Sequence, residues 1–215
     1  MAKNARWQDE YWLLLIQLYL KKPEGVKPLY SRGLVDLSLE LHIPPQFLYE
    51  RMFKLRSLDT PRMEKLWERY GKHPDRLARG VKKLRQMKGM GNESEFYDGV
   101  ETNESFELDF KPLKEDERLT PVMLIIILDL YFRLTPNTMV RDTPEIQDLA
   151  KMLKIPVELV VQVMEVYQIC DPCLKWMEVL DSPLIDPCHE VWQRYGNGNP
   201  EKLAAFALQL KEYYI

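Results

Sequence analysis

The chain has 215 residues, 46% hydrophobic and 29% charged, with 15 Pro and 9 Gly. This composition excludes a disordered or collagen-like polymer and supplies core enough for one large or two small domains without a metal or disulfide. The net charge of −3 excludes a uniformly basic chain but hides a strong asymmetry. Residues 1–89 hold 19 Lys plus Arg against 10 Asp plus Glu, 90–117 hold 2 against 10, and 118–215 hold 9 against 13.

In chain order, the apolar segment 12–20 is followed by Pro23, which ends a first helix. Leu34, Leu37 and Leu41 recur at helical spacing, and Ile43-Pro44 breaks that second helix. A third helix starts at the prolines and carries Leu48, Met52 and Leu55 inward, leaving Glu50, Arg51, Lys54 and Ser57 on the opposite side with Gln46 and Arg56 at the edges. A Trp-x-Arg-Tyr-Gly block, 67–71, closes a fourth helix with Gly71 as the expected left-handed cap. A fifth helix after His73-Pro74-Asp75 sets Arg76, Arg79 and Lys83 opposite Leu77, Val81 and Leu84. Residues 89–118 follow, poor in aliphatics and dense in acid, and read as a linker in which the alternation of Phe106, Leu108 and Phe110 predicts one short strand.

After the linker the pattern returns. Residues 12–59 align without a gap on 124–171 at an offset of 112, with identities that include Leu18/Leu130, Tyr19/Tyr131, Asp36/Asp148, Ile43/Ile155, Pro44/Pro156 and Met52/Met164. LWERYGKHPDRL at 66–77 returns as VWQRYGNGNPEKL at 191–203, with Gly196 in the place of Gly71. The expectation is an all-α protein, a tandem duplication of two small helical bundles: a basic copy over 1–88, an acidic linker over 89–118 and a second copy over 119–215.

In the second copy Val163, Val166 and Gln168 replace Arg51, Lys54 and Arg56, and Lys202, Ala205 and Gln209 replace the basic stripe of the fifth helix. Its third helix is apolar nearly all round and should be buried. Ala205, Phe206 and Leu208 of its last helix call for a cover, from the first copy or from a second protomer. The first copy therefore reads as the face toward a polyanion, the second as a packing or dimerisation domain. The acidic linker lying on the basic copy would account for the charges equally well.

LVDLSLELHIPPQFLYERMFKL and IQDLAKMLKIPVELVVQVMEVY share Leu-x(3)-Leu-x-Ile-x(4)-apolar-x(3)-Met, a pattern that resembles the helix-turn-helix of bacterial transcription regulators over 22 residues per copy. Pro44-Pro45 and Pro156 stand in the turn where that family places small or polar residues. The resemblance implies a non-enzymatic DNA-binding, transcription-regulatory protein. Gln46, Arg51, Lys54 and Arg56 would address the groove and nearby phosphates, and Arg76, Arg79 and Lys83 the backbone. The alternative is a protein-interaction adaptor using Phe47, Tyr49 and Phe53, since aromatics mixed with arginine also mark protein interfaces.

Other constellations carry little. The three cysteines, Cys170, Cys173 and Cys188, cannot all pair, and free thiols are expected rather than a zinc site, because adjacent Cys188 and His189 are awkward co-ligands. No catalytic arrangement, phosphate loop or cofactor signature stands out. Trp67/Trp192 and Tyr70/Tyr195 are expected as core anchors. The apolar run 122–132 carries Asp129 and is too short to cross a bilayer, and the first ten residues lack the apolar core of a signal peptide. A cytoplasmic protein with no membrane role is the expectation.

Overall fold

The computed structural model describes residues 7–87, 105–174 and 181–215, and over these the chain is all-helical, with eleven α-helices and no strand. The helices group into two compact units divided between residues 104 and 105.

The first unit holds α1 (Trp12–Leu20), α2 (Arg32–Leu41), α3 (Pro45–Ser57), α4 (Pro61–Leu66) and α5 (Pro74–Arg85). Helix α1 is apolar on most sides because it is the central helix. Leu14, Leu15 and Ile16 are at most 2% exposed, and the other helices pack around it through Leu34, Leu48, Met52, Leu77 and Val81. The chain from α1 to α2 is tied by Lys27, whose ammonium donates to the carbonyls of Lys21 and Pro23 and whose burial lowers its pKa from the usual lysine value.

The α2–α3 turn is short. His42 takes a left-handed conformation at φ 53°, Ile43 N–H returns to Ser38 O at 3.1 Å, and the buried Ser38 hydroxyl donates to Ile43 O at 2.5 Å. Pro44 then caps and Pro45 opens α3, where a missing N–H costs nothing. Leu48, Met52 and Leu55 face inward at 0–1% exposure, as their spacing requires.

The second unit holds α6 (Ser105–Asp109), α7 (Pro121–Tyr131), α8 (Pro144–Leu153), α9 (Val157–Cys170), α10 (Ile185–Val191) and α11 (Pro200–Lys211). Helix α7 is its central helix, with every residue from 124 to 128 at 0% exposure. Helices α8 and α9 begin 112 residues after α2 and α3, and Lys154 repeats the left-handed turn of His42 at φ 59°. As the apolar sequence of α9 requires, Val163, Val166 and Gln168 are buried.

Three local expectations change. Residues 105–118 belong to the second unit and not to a linker: Asp109 takes two hydrogen bonds from Arg194, Phe110 packs on Tyr213, and Leu113 N–H donates to Leu119 O. Within this stretch the expected strand is the helix α6. A lone strand would leave its backbone groups unpaired, whereas a helical turn closes Phe110 N–H on Glu107 O and Lys111 N–H on Leu108 O. Residues 88–104, which contain the rest of the expected linker, lie outside the described residues.

Nor are Gly71 and Gly196 left-handed caps, since Gly25 is the one described glycine with positive φ. Each closes a π-helical turn, Trp67–Gly71 and Trp192–Gly196, in which the tryptophan ring folds back onto the glycine. A Cβ at either position would lie 2.6 Å from the ring. The glycine is needed for close approach, not for its φ.

Candidate nucleic-acid interface

Helix α5 is the most polarised surface of the first unit. Leu77, Val81 and Leu84 are 3–5% exposed and hold it on the core. The heptad-like spacing of those anchors leaves Arg76, Arg79, Lys82 and Lys83 together on the outer face, all exposed. None of the four has an acid within ion-pair distance among the described residues. The remaining base of the helix, Arg85, is different: its guanidinium makes a two-pronged contact with Glu40 at 2.7 and 2.8 Å and is used within the fold.

The four bases line an open hollow of about 860 Å³ that also takes in Tyr70, His73, Gly80 and one acid, Asp75. Arg79 is steadied by a hydrogen bond from Nε to Asp75 O at 3.3 Å, and the Arg76 and Arg69 guanidinium groups lie 5.9 and 5.6 Å from the Tyr70 ring. From 76 to 83 the stripe covers two helical turns, roughly 10 Å, which is the rise of about three nucleotides along one strand.

The candidate residues of α3 are placed differently. Lys54 and Arg56 line a separate shallow hollow of about 550 Å³, where the carboxylates of Glu50 and Asp59 dilute their charge. Gln46 reaches along its own helix to Glu50 at 3.4 Å. Arg51 is turned inward to an aromatic cage, its guanidinium 5.1, 5.7 and 4.8 Å from the rings of Trp7, Trp12 and Phe47. The structure thus joins Arg76, Arg79 and Lys83 in one site, pairs Lys54 with Arg56 in another, and leaves Gln46 and Arg51 outside both.

Of the aromatics, Phe47 is half-buried against Trp7, whereas Tyr49 and Phe53 form an edge-to-face pair at 5.0 Å with Phe53 42% exposed. Trp192 is a core anchor at 5% exposure, while Trp67, Tyr70 and Tyr195 are half-buried.

Sequence reasoning missed Lys82 and Arg69 and read Tyr70 as a core anchor. A stripe drawn strictly at i, i+3, i+7 passes over Lys82, and Arg69 with Tyr70 sits in the π-helical turn, whose extra residue shifts their direction away from α-helical spacing.

Nothing on the second unit's α11 repeats the basic face. At the positions of Arg76, Arg79, Lys82 and Lys83 stand Lys202, Ala205, Leu208 and Gln209, and Leu208 is 68% exposed. Phe206 is half-buried and stacks on Tyr195. Among the described residues there is no cluster of His, Cys, Asp or Glu suited to a metal ion and no helix long and apolar enough to cross a membrane. No protein-family model, curated protein or solved structure matches the chain.

Proposed function

We propose that the first unit is a non-enzymatic nucleic-acid-binding module that grips the phosphate backbone through α5, and that the second unit is a copy of the same bundle whose surface serves packing instead. One observation supports this above the others: four exposed bases without acid partners gather on one helix face beside an open hollow, while a fifth base on the same helix is neutralised by Glu40. Surface bases that serve only solubility are interspersed with acids, whereas a run of one sign raises the local concentration of a polyanion. Lys54 and Arg56 supply a second, weaker phosphate contact, and a transcription-regulatory role is one use of such a module. Arg51 is assigned the structural task of holding Trp7 against α3.

Fluorescence anisotropy of the full chain with labelled oligonucleotides at 20–300 mM salt tests the reading. Neutralising about three or four phosphates gives a slope of log Kobs against log salt of roughly −2 to −3.5. The triple variant Arg76→Gln, Arg79→Gln, Lys83→Gln should flatten it. Absence of binding at 20 mM salt refutes the proposal. The Tyr49–Phe53 pair favours a second reading, a protein-interaction adaptor, whose complexes would change little with salt.

A further inference from the structure

In the second unit the surface over Tyr195 is filled from within. The Phe206 ring stacks on Tyr195 with centroids 5.7 Å apart and planes 28° from parallel. Beside it Arg194, 5.1 Å from the Tyr195 ring, donates two hydrogen bonds to the Asp109 carboxylate at 2.7 and 2.8 Å, and these raise its pKa. A tyrosine–arginine pair is thus occupied by one aromatic ring and one anion.

The first unit has the same pair with neither an aromatic ring nor a carboxylate on it among the described residues, the Arg76 guanidinium lying 5.9 Å from the Tyr70 ring. Arg69 and Tyr70 hold the places of Arg194 and Tyr195 in the Trp-x-Arg-Tyr-Gly block, and the Arg69 guanidinium lies 5.6 Å from the Tyr70 ring. Counting from the prolines that open α5 and α11, the place of Phe206 falls to Gly80. No acid lies within ion-pair distance of Arg69 among the described residues. Glycine inside a helix is a poorer helix former than alanine, so its presence is not explained by α5 itself. A Cβ there would sit 3.3 Å from Leu13 Cδ1 and 3.6 Å from Tyr70 Cε1, which makes Gly80 part of the floor of the open hollow.

We propose that this hollow is a nucleotide subsite for single-stranded nucleic acid: a base stacks on Tyr70 where Phe206 lies in the second unit, its phosphate takes the place of the Asp109 carboxylate on Arg69, and neighbouring phosphates run along Arg76 and Arg79. The inference rests on reading α5 as a phosphate-binding face and adds the strand type and the engaged base. An acidic peptide bearing an aromatic residue would satisfy Arg69 and Tyr70 alone. Four further bases beside them suit a regularly spaced run of anions better, and an aromatic platform next to a basic track is the usual arrangement for sequence-tolerant single-strand binding.

The test uses the full chain with a labelled single-stranded dT 12-mer and a 12-base-pair duplex, by anisotropy at 50 mM salt. Tyr70→Leu should weaken single-strand binding roughly tenfold or more, with duplex binding changed less than about twofold because phosphate contacts ignore the base face. Tyr70→Trp should restore it. Gly80→Phe, which supplies the ring that the second unit already carries, should block it while circular dichroism reports an unaltered helical content. Wild-type single-strand affinity in both Tyr70→Leu and Gly80→Phe overturns the subsite and leaves the α5 backbone reading standing. Loss of all nucleic-acid binding in the wild type overturns both. Tyr70-dependent binding of the peptide ESEFYDG, with no effect of Tyr70→Leu on the 12-mer, overturns the subsite in favour of an acidic–aromatic peptide.

Discussion

Replacing Gly196 with alanine reverses the usual sign of a glycine-to-alanine change in a helix. In an unstrained position the substitution stabilises by about 0.4–1 kcal/mol through the unfolded chain. Here the new Cβ would lie 2.6 Å from Trp192 Cδ2 and 2.8 Å from Cε2 and Cγ, whereas carbon atoms rest about 3.5–4.0 Å apart. The ring must retreat by about 1 Å, and it has nowhere to go: it is 5% exposed, and the rings of Tyr131, Phe132 and Tyr167 stand 5.8, 5.5 and 6.1 Å from it. Overpacking of this kind costs about 1–3 kcal/mol, so the net loss is about 1–2 kcal/mol. At roughly 4–8 °C per kcal/mol the second unit should melt about 5–15 °C lower. Gly71→Ala is the internal control. Its clash with Trp67 is equally close, but Trp67 is half-buried and has one ring neighbour, Tyr19 at 5.7 Å, so it can swing outward and the loss should be less than half as large. Urea unfolding followed by circular dichroism, fitted with one transition per unit, measures both. A Gly196→Ala protein as stable as wild type refutes the close-approach account of this glycine.

Three further outcomes are expected. Asp129 has a side chain only 6% exposed and is held by Arg133 at 2.6 Å and Lys211 at 3.5 Å. Arg133→Met and Lys211→Met should therefore each cost under about 1.5 kcal/mol, and the double variant about 3 kcal/mol or more, because it leaves a buried carboxylate without a cation; additive urea midpoints would count against this. Toward a disulfide reagent at pH 8, exposed Cys173 should react first and half-buried Cys170 slowly, since burial pushes its thiol up. Raising the pH to 9.5 should speed Cys170, because more of it becomes thiolate, while Cys188, at 0% exposure and with its pKa also raised by burial, should stay silent until urea unfolds the unit; a single rate for all three thiols contradicts the burial pattern. Residues 93–104 carry five acids and no base and are tethered shortly after Lys88, so deleting them should tighten oligonucleotide binding several-fold at 50 mM salt and hardly at all at 500 mM, as expected for an anion competing at high effective concentration. Equal affinities at 50 mM salt would dismiss that competition.

Periodicity exposed most of the helices because each packs one stripe of apolar residues on a central helix. Leu48, Met52 and Leu55 of α3 could be assigned inward from their spacing alone. It gave little where local geometry departs from 3.6 residues per turn. The π-helical turns displaced Arg69 and Tyr70 from their expected directions and made two glycines look like ordinary caps. Residues 105–118 misled for a different reason: their acidity reads as a solvated linker, yet Asp109 is spent on Arg194 and Asp116 on Arg118, contacts with partners that lie 85 and 2 residues away and have no common sequence signal. Arg51 is the same case in the candidate site. Its position on the outer side of α3 is legible, but its aromatic cage depends on Trp7 and Trp12, which only the fold brings near.

Each unit packs its helices around a central apolar helix, and the two differ in how the last helix is fastened and in what it presents outward. In the first, the last helix is fastened by Arg85 to Glu40 of α2; in the second, Lys211 at the matching place is fastened to Asp129 of the central helix. Gln17 stands where Asp129 is, and Met152 where Glu40 is. Each unit thus pairs a base at the end of its last helix with one acid, on α2 in the first and on the central helix in the second. The outer faces differ: four bases without acid partners on α5 beside the half-buried Tyr70 of the π-helical turn, against Ala205, Leu208, Gln209 and a Phe206 stacked on Tyr195 on α11. Asp129, with a side chain 6% exposed, must keep a cation because an unpaired buried charge is costly, whereas the Arg85–Glu40 pair lies at the surface. Exposed bases face no such demand. The α5 stripe is therefore not required by the fold, which is why its concentration in a single unit points to a ligand.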